Sequence, residues 1–187
     1  MCRVNLVNWI FPVTLILALT AGISQSTAKI RSLPPSAFPE LPSSVVGVLE
    51  RRGCQIPQIQ RHKRSNVIKG EFLKQGQTNW AVLCMTNQDT SLLVFNESEQ
   101  QPKEVERRRN GIASRWSITP ASQQFMLDFL KGWKPSKPFR QLDHQGISSG
   151  LGPRDPTSGR FSDSAAETTI FYFDDGNWTK LGTLSLN

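Results

Sequence analysis

The chain has 187 residues and a formal net charge of +7, with only two histidines and three cysteines. That length fits one domain. The sparse histidines and cysteines lack the paired ligand spacing of a zinc site, and no G-x-S-x-G, HExxH, phosphate-loop or dinucleotide motif occurs.

Residues 1–28 read as a secretory signal. Arg3 supplies the positive end, Trp9 to Ala21 the apolar run, and Ser26-Thr27-Ala28 the small residues before Lys29. The apolar run is shorter than the ~20 residues a membrane helix needs, so the mature chain is expected to carry no membrane span. An uncleaved anchor helix is the alternative. Of 22 basic and 15 acidic residues, Arg3 alone leaves with the signal, so the mature charge is +6. Cys2 leaves too. Cys54 and Cys84 remain, and an oxidising compartment favours a disulfide between them over two separate buried thiols.

Residues 29–42 contain four prolines and predict an extended, mobile lead-in before a domain spanning 43–187. Ser44 to Arg52 predicts a short helix, with a serine hydroxyl cap, an apolar face of Val45, Val46, Val48 and Leu49, and Gly53 as its stop. A disulfide from Cys54 would then pin the end of that helix to a strand carrying Cys84.

The stretch Asn66 to Asn96 predicts three strands, Asn66–Phe72, Asn79–Thr86 and Ser91–Phe95, separated by turn residues. Trp80 to Met85 is apolar on both faces, which marks a central strand covered on two sides. Weaker strands are expected over Lys103–Arg108 and Arg115–Ile118, with a turn at Asn110-Gly111. Thr119-Pro120 then reads as the start of a helix reaching Gly132. Phe125, Met126, Phe129, Leu130 and Trp133 would form its buried stripe. Residues 134–166, rich in Pro, Gly and Ser, predict one long irregular loop. Asp174-Asp175-Gly176-Asn177 predicts a closing hairpin. The expected fold class is α+β, an antiparallel sheet of five to six strands with one main packed helix and a short N-terminal helix.

The phrases GEFLKQGQTNWAVLC and SLLVF, the DHQGI motif at Asp143 to Ile147 and the closing FYFDDGNWTKL together resemble a family of secreted bacterial proteins. Its members carry a signal peptide, a cysteine-bearing helix, a WAVLC strand, a DHxGI loop and an aromatic C-terminal hairpin. The resemblance implies secreted or periplasmic location and no particular activity. A second resemblance is to the FG-GAP or VCBS blade, whose acidic loop binds calcium. Glu71, Leu73, Gln75 and Asn79 stand at its ligand positions, too few anionic oxygens for the ion, so the resemblance implies a blade-like hairpin without metal.

For chemistry, Asp143 and His144 are the candidate catalytic pair of a small hydrolase, with Ser148, Ser149 or Asp128 as possible thirds. Adjacent residues point different ways, so a structural role is the competing reading. His62 lies in a basic run and reads as a loop residue. Arg51, Arg52, Arg61, Lys63, Arg64 and Arg107 to Arg109 could bind a polyanion, although no aromatics interleave with them as a stacking platform would require. Trp133, Phe139, Phe171, Tyr172 and Trp178 read as core or as an aromatic binding surface. No cofactor or metal is expected. The sequence favours a monomeric, non-enzymatic binding or envelope-associated domain, whose partner could be an envelope protein or an anionic polymer.

Overall fold

The structure is a computed structural model and describes residues 31–59, 63–97, 101–110, 115–131, 142–152 and 167–185. Residues 1–28, read from the sequence as a signal, lie outside them, as do Arg61, His62, Trp133 and Phe139. Among the described residues, ten strands form three antiparallel sheets, and two α-helices pack outside these. This corrects the expected α+β class with one sheet of five to six strands and a packed helix: the described residues are mostly β.

The first large sheet has the order β3-β4-β5-β6, from Val67–Gly70 (β3), Asn79–Met85 (β4), Asp89–Asn96 (β5) and Lys103–Arg109 (β6). The second has the order β10-β9-β8-β7, from Trp116–Ala121 (β7), Gly146–Leu151 (β8), Glu167–Asp174 (β9) and Asn177–Ser185 (β10). A small pair, Ser32–Leu33 (β1) with Ile56–Pro57 (β2), ties the lead-in to the segment after helix α1, Ser43–Arg51.

Side-chain alternation along β4 and β5 sets the layers. Trp80, Val82, Cys84, Leu93 and Phe95 face α1 and bury against Val45, Val48 and Leu49. Ala81, Leu83, Leu92 and Val94 face the other way and meet Trp116, Ile118, Ile147 and Phe171 of the second sheet. The outer face of that sheet, Ile170, Tyr172 and Leu181, is covered by Met126 and Phe129 of helix α2, Gln123–Lys131. The result is two sheets face to face with one helix outside each. A large aliphatic side chain taken fully out of water in such a core contributes roughly 1.5–3 kcal/mol.

The two sheets cross. Lys103 Nζ lies 5.5 Å from the Phe173 ring of β9, Glu106 meets Ser149 of β8, and the Arg108 guanidinium lies 4.9 Å from the Trp116 ring of β7. Successive residues of β6 thus touch successive strands of the opposing sheet, as in crossed sheet packing.

Three local corrections have physical causes. Thr119-Pro120 does not start a helix but ends β7, an edge strand, where a residue without an N–H is tolerated. Ser122 caps α2 instead, its Oγ accepting the Phe125 N–H at 3.1 Å. With the register moved, Met126 and Phe129 are buried while Phe125 is 45% exposed. Second, β8 lies inside the stretch read as one irregular loop; its sequence GISSGL has no apolar run and gains its burial from β7 and β9 on either side. Third, residues 31–42 carry β1 and a 3-10 turn at Pro35–Ala37, and Phe38 and Leu41 sit in the core under α1.

Helix α1 starts at Ser43 after Pro42, with no side-chain cap, and it stops at Gly53, whose φ of +68° suits a residue lacking Cβ. Cys54 follows at once and is disulfide-bonded to Cys84 of β4, with Cα atoms 5.0 Å apart. Two further bonds, Gln55 N–H to Met85 O and Met85 N–H to Gln55 O, both 2.8 Å, continue this attachment. Replacing both cysteines by serine should cost about 3–4 kcal/mol of unfolding free energy in urea, the constraint of the closed loop on the unfolded chain. Non-reducing peptide mapping of exported protein should recover the Cys54–Cys84 pair; free thiols at both positions would contradict it.

Candidate functional site

A cleft of about 480 Å³ opens where the β3–β4 hairpin of the first sheet meets the entry to β8 and the start of α2. One wall is Lys69, Gly70 and Glu71 with Gln75 and Thr78 of the hairpin loop. The other is Ser122 and Gln123 at the head of α2 with Asp143, His144 and Gln145 before β8. Among the described residues, no apolar side chain lines it.

The DHQGI motif builds this second wall. Gln145 clasps the first sheet: its Oε1 accepts the Glu71 N–H at 3.0 Å and its own N–H donates to Glu71 O at 3.0 Å. The approach is close enough that a Cβ on Gly70 would stand 2.5 Å from Gln145 Oε1. Gly146 leaves the room α2 needs, since a Cβ there would lie 2.5 Å from Met126 Sδ and 2.8 Å from Phe171 O. Ile147 enters the core between the sheets.

His144 is 6% exposed and stacks on Tyr172, with ring centroids 4.3 Å apart and planes 12° from parallel. Its Nδ1 lies 3.0 Å from Gln145 O and its Nε2 3.0 Å from Phe173 O. Carbonyl oxygens only accept, so a nitrogen that carries the ring's proton donates to its carbonyl, and whichever nitrogen keeps a lone pair turns it to the other carbonyl and not to the cleft. The Asp143 carboxylate is 3.8 Å from Nε2, beyond hydrogen-bond range. Its Oδ1 instead accepts the Tyr172 phenol at 2.8 Å, while the phenol oxygen accepts the Asp143 N–H at 3.1 Å. Asp143, His144 and Tyr172 therefore form a clasp between the β8 entry and the C-terminal hairpin.

The suggested third members stand elsewhere. Ser149 is buried between the sheets, accepting the Trp116 indole N–H at 2.7 Å, and Ser148 is within β8. Asp128 is exposed on α2, bonded to Gln124 and Lys131, and these bonds hold its carboxyl below the ordinary range.

The polyanion candidates divide. Arg51 and Arg52 are exposed at the end of α1, and Lys63 and Arg64 are exposed beyond it, with Arg64 6.0 Å from the Phe38 ring. On β6, alternation separates the arginines. Arg107 and Arg109 stand opposite Ser91 and Asp89, whereas Arg108 turns towards the second sheet and pairs with Glu106 at 2.7 Å. Arg107 bonds Glu104 through two nitrogens at 3.0 and 2.8 Å, which holds that carboxyl below its ordinary range, and Arg52 adds attraction. On β6, acids thus interleave with the bases. Of the aromatic set, Phe171 and Tyr172 are buried and Trp178 is half-buried against the core.

At the blade-like positions the oxygens serve the loop itself. Glu71 Oε2 accepts the Gly76 N–H at 2.9 Å, and Asn79 Oδ1 accepts the Phe72 and Leu73 N–H groups, both at 2.9 Å.

Sequence reading found Asp143 and His144 but missed Tyr172 as their partner, as well as Lys69, Gln123 and Gln145. The parity of FYFDDGN, which sends Tyr172 and Ile170 to one face and Phe171 to the other, was the available signal. Compared with protein-family models, curated proteins and solved structures, the chain matches none.

Burial, with the Asp143 carboxylate adding to it, pushes the Tyr172 phenol up to about 12 from an ordinary value near 10. The folded state thus favours the neutral phenol. Its contribution to stability is complete below pH ~10 and is lost as pH rises through ~12. Tyr172 is the chain's single tyrosine, so phenolate absorbance reads it alone. Titration should show ionisation near pH 12, and at lower pH in Asp143→Asn; a midpoint near 10 in the folded wild type would contradict the clasp.

Proposed function

We propose that this chain is the non-enzymatic binding domain of an exported, envelope-associated protein, with the cleft as its recognition surface. The observation that carries this reading is the state of His144. Both ring nitrogens are directed at backbone carbonyls and the ring is stacked on Tyr172, so the cleft offers polar groups for recognition but no imidazole lone pair for proton abstraction. Asp143 is likewise engaged, its Oδ1 held by the Tyr172 phenol.

Export is supported by the composition of residues 1–28 and by the Cys54–Cys84 disulfide, a bond that persists in oxidising compartments. Among the described residues, no helix is long and apolar enough to cross a membrane. The competing hydrolase reading requires His144 to leave both carbonyls before it can act. Polyanion binding is less favoured than cleft recognition, because Arg107 and Arg108 are already paired with Glu104 and Glu106.

Purified mature protein should turn over no chromogenic ester, phosphoester, glycoside or peptide substrate faster than its Asp143→Asn variant does. Turnover that disappears in both Asp143→Asn and His144→Gln, while both variants keep the wild-type circular dichroism, would overturn the binding reading in favour of the hydrolase.

A further inference from the structure

The cleft holds charges of both signs that do not pair with each other. Lys69 has no hydrogen bond or ion pair with any described residue; its Nζ lies 5.6 Å from the Trp80 ring, a contact that leaves its three donors free. Glu71 and Asp143 each spend one oxygen inside the protein, Oε2 on the Gly76 N–H and Oδ1 on the Tyr172 phenol. Their second oxygens have no partner among the described residues. Gln75, Thr78 and Gln123 line the same space, and their side chains make no hydrogen bond with any described residue.

This inventory rejects several ligand classes. An apolar molecule would strip water from charges and amides and return nothing. A phosphate would meet two carboxylates and one lysine. A sugar would find no Phe, Tyr or Trp among the described lining residues for its C–H surface. A divalent ion would find only the two carboxylates of Glu71 and Asp143, and among the described residues no group of three or more His, Cys, Asp or Glu side chains comes together to hold one.

We propose that the cleft binds a small zwitterion, a free amino acid or dipeptide, with its carboxylate on Lys69 and its ammonium on the open oxygens of Glu71 and Asp143. This rests on the reading of the cleft as a recognition surface. A zwitterion matches both signs of free charge at once, and charge-assisted bonds at its two ends fix its direction. The carboxamides of Gln75 and Gln123 and the Thr78 hydroxyl then meet the ligand's side chain or peptide group. Two half-used carboxylates against one lysine in the lining also favour ligands with a second ammonium.

The test is calorimetric titration of the disulfide-bonded mature protein, alongside its melting temperature. Probes are glycylglycine and lysine, with N-acetylglycine and glycinamide as single-charge controls and glucose as a neutral one. The zwitterions should bind and raise the melting temperature in a concentration-dependent way. Each single-charge control should bind at least tenfold more weakly. Lys69→Gln should lose at least tenfold in affinity while keeping the ligand-free melting temperature. Binding of N-acetylglycine, glycinamide or glucose equal to that of the zwitterions, or unaffected by Lys69→Gln, would overturn the zwitterion assignment and leave the recognition surface standing. No heat and no stabilisation from any zwitterion would overturn it as well. Hydrolysis of the dipeptide during titration would overturn both.

Discussion

The fold depends on how two crossed sheets are held together where no backbone ladder joins them. Each ends in an edge strand at the junction, β3 in the first sheet and β7 in the second, and an unpaired edge exposes donors and acceptors that burial would penalise. One carboxamide resolves this. Asn66, 1% exposed, donates through Nδ2 to Pro57 O at 2.8 Å and Trp116 O at 3.0 Å, while its Oδ1 accepts the Ile118 N–H at 3.2 Å. Its side chain thus occupies the place of a neighbouring strand along β7. The backbone bends to allow it, with φ at 68°, a left-handed conformation that asparagine tolerates better than most residues. Meanwhile the Asn66 carbonyl accepts the Leu83 N–H at 3.0 Å and stays part of the first sheet.

Gln145 repeats the device at the other end of β3, bonding both the N–H and the C=O of Glu71. Between these two attachments the sheets stay in register, and the cleft lies just outside the second. Its walls come from different sheets, so its dimensions are set by the Gln145 clasp and by the seating of α2 over Gly146. The clasp of Asp143, His144 and Tyr172 adds the C-terminal hairpin to the same junction. The chemistry-bearing residues of the motif are consumed in construction, and the groups left for a ligand are those around them.

What could be read in advance was whatever depends on neighbours in sequence. The two-faced run Trp80 to Met85, the Asp175-Gly176 turn with φ of 50° and 83°, and the Gly53 stop before Cys54 each carry a local signal, and each stands where its chemistry places it. The division into two sheets was not legible, because the bonds that enforce it join residues 50, 52 and 74 positions apart. Strand β8 was invisible for a different reason. A strand of Gly, Ser, Ile and Leu is fixed by the two strands that flank it and not by its own propensity. Thr119-Pro120 misled because the same pair fits a helix start and the end of an edge strand, and only the partner β8 decides between them. Asp143-His144 was recognisable as a motif, but its role turns on Tyr172, 29 residues away from Asp143.

The central claim is that the Asn66 carboxamide joins the sheets, and urea unfolding of disulfide-intact Asn66→Asp and Asn66→Gly tests it most directly. Asn66→Asp keeps the shape but replaces two donated hydrogen bonds with a buried carboxylate facing two carbonyls. Asn66→Gly relieves the backbone but leaves those carbonyls and the Ile118 N–H without their partner. The account predicts losses of about 3 kcal/mol or more for both, with the aspartate variant the worse. Unfolding free energies within about 0.5 kcal/mol of wild type in both would contradict it, and would mean that apolar contact alone holds the two sheets together.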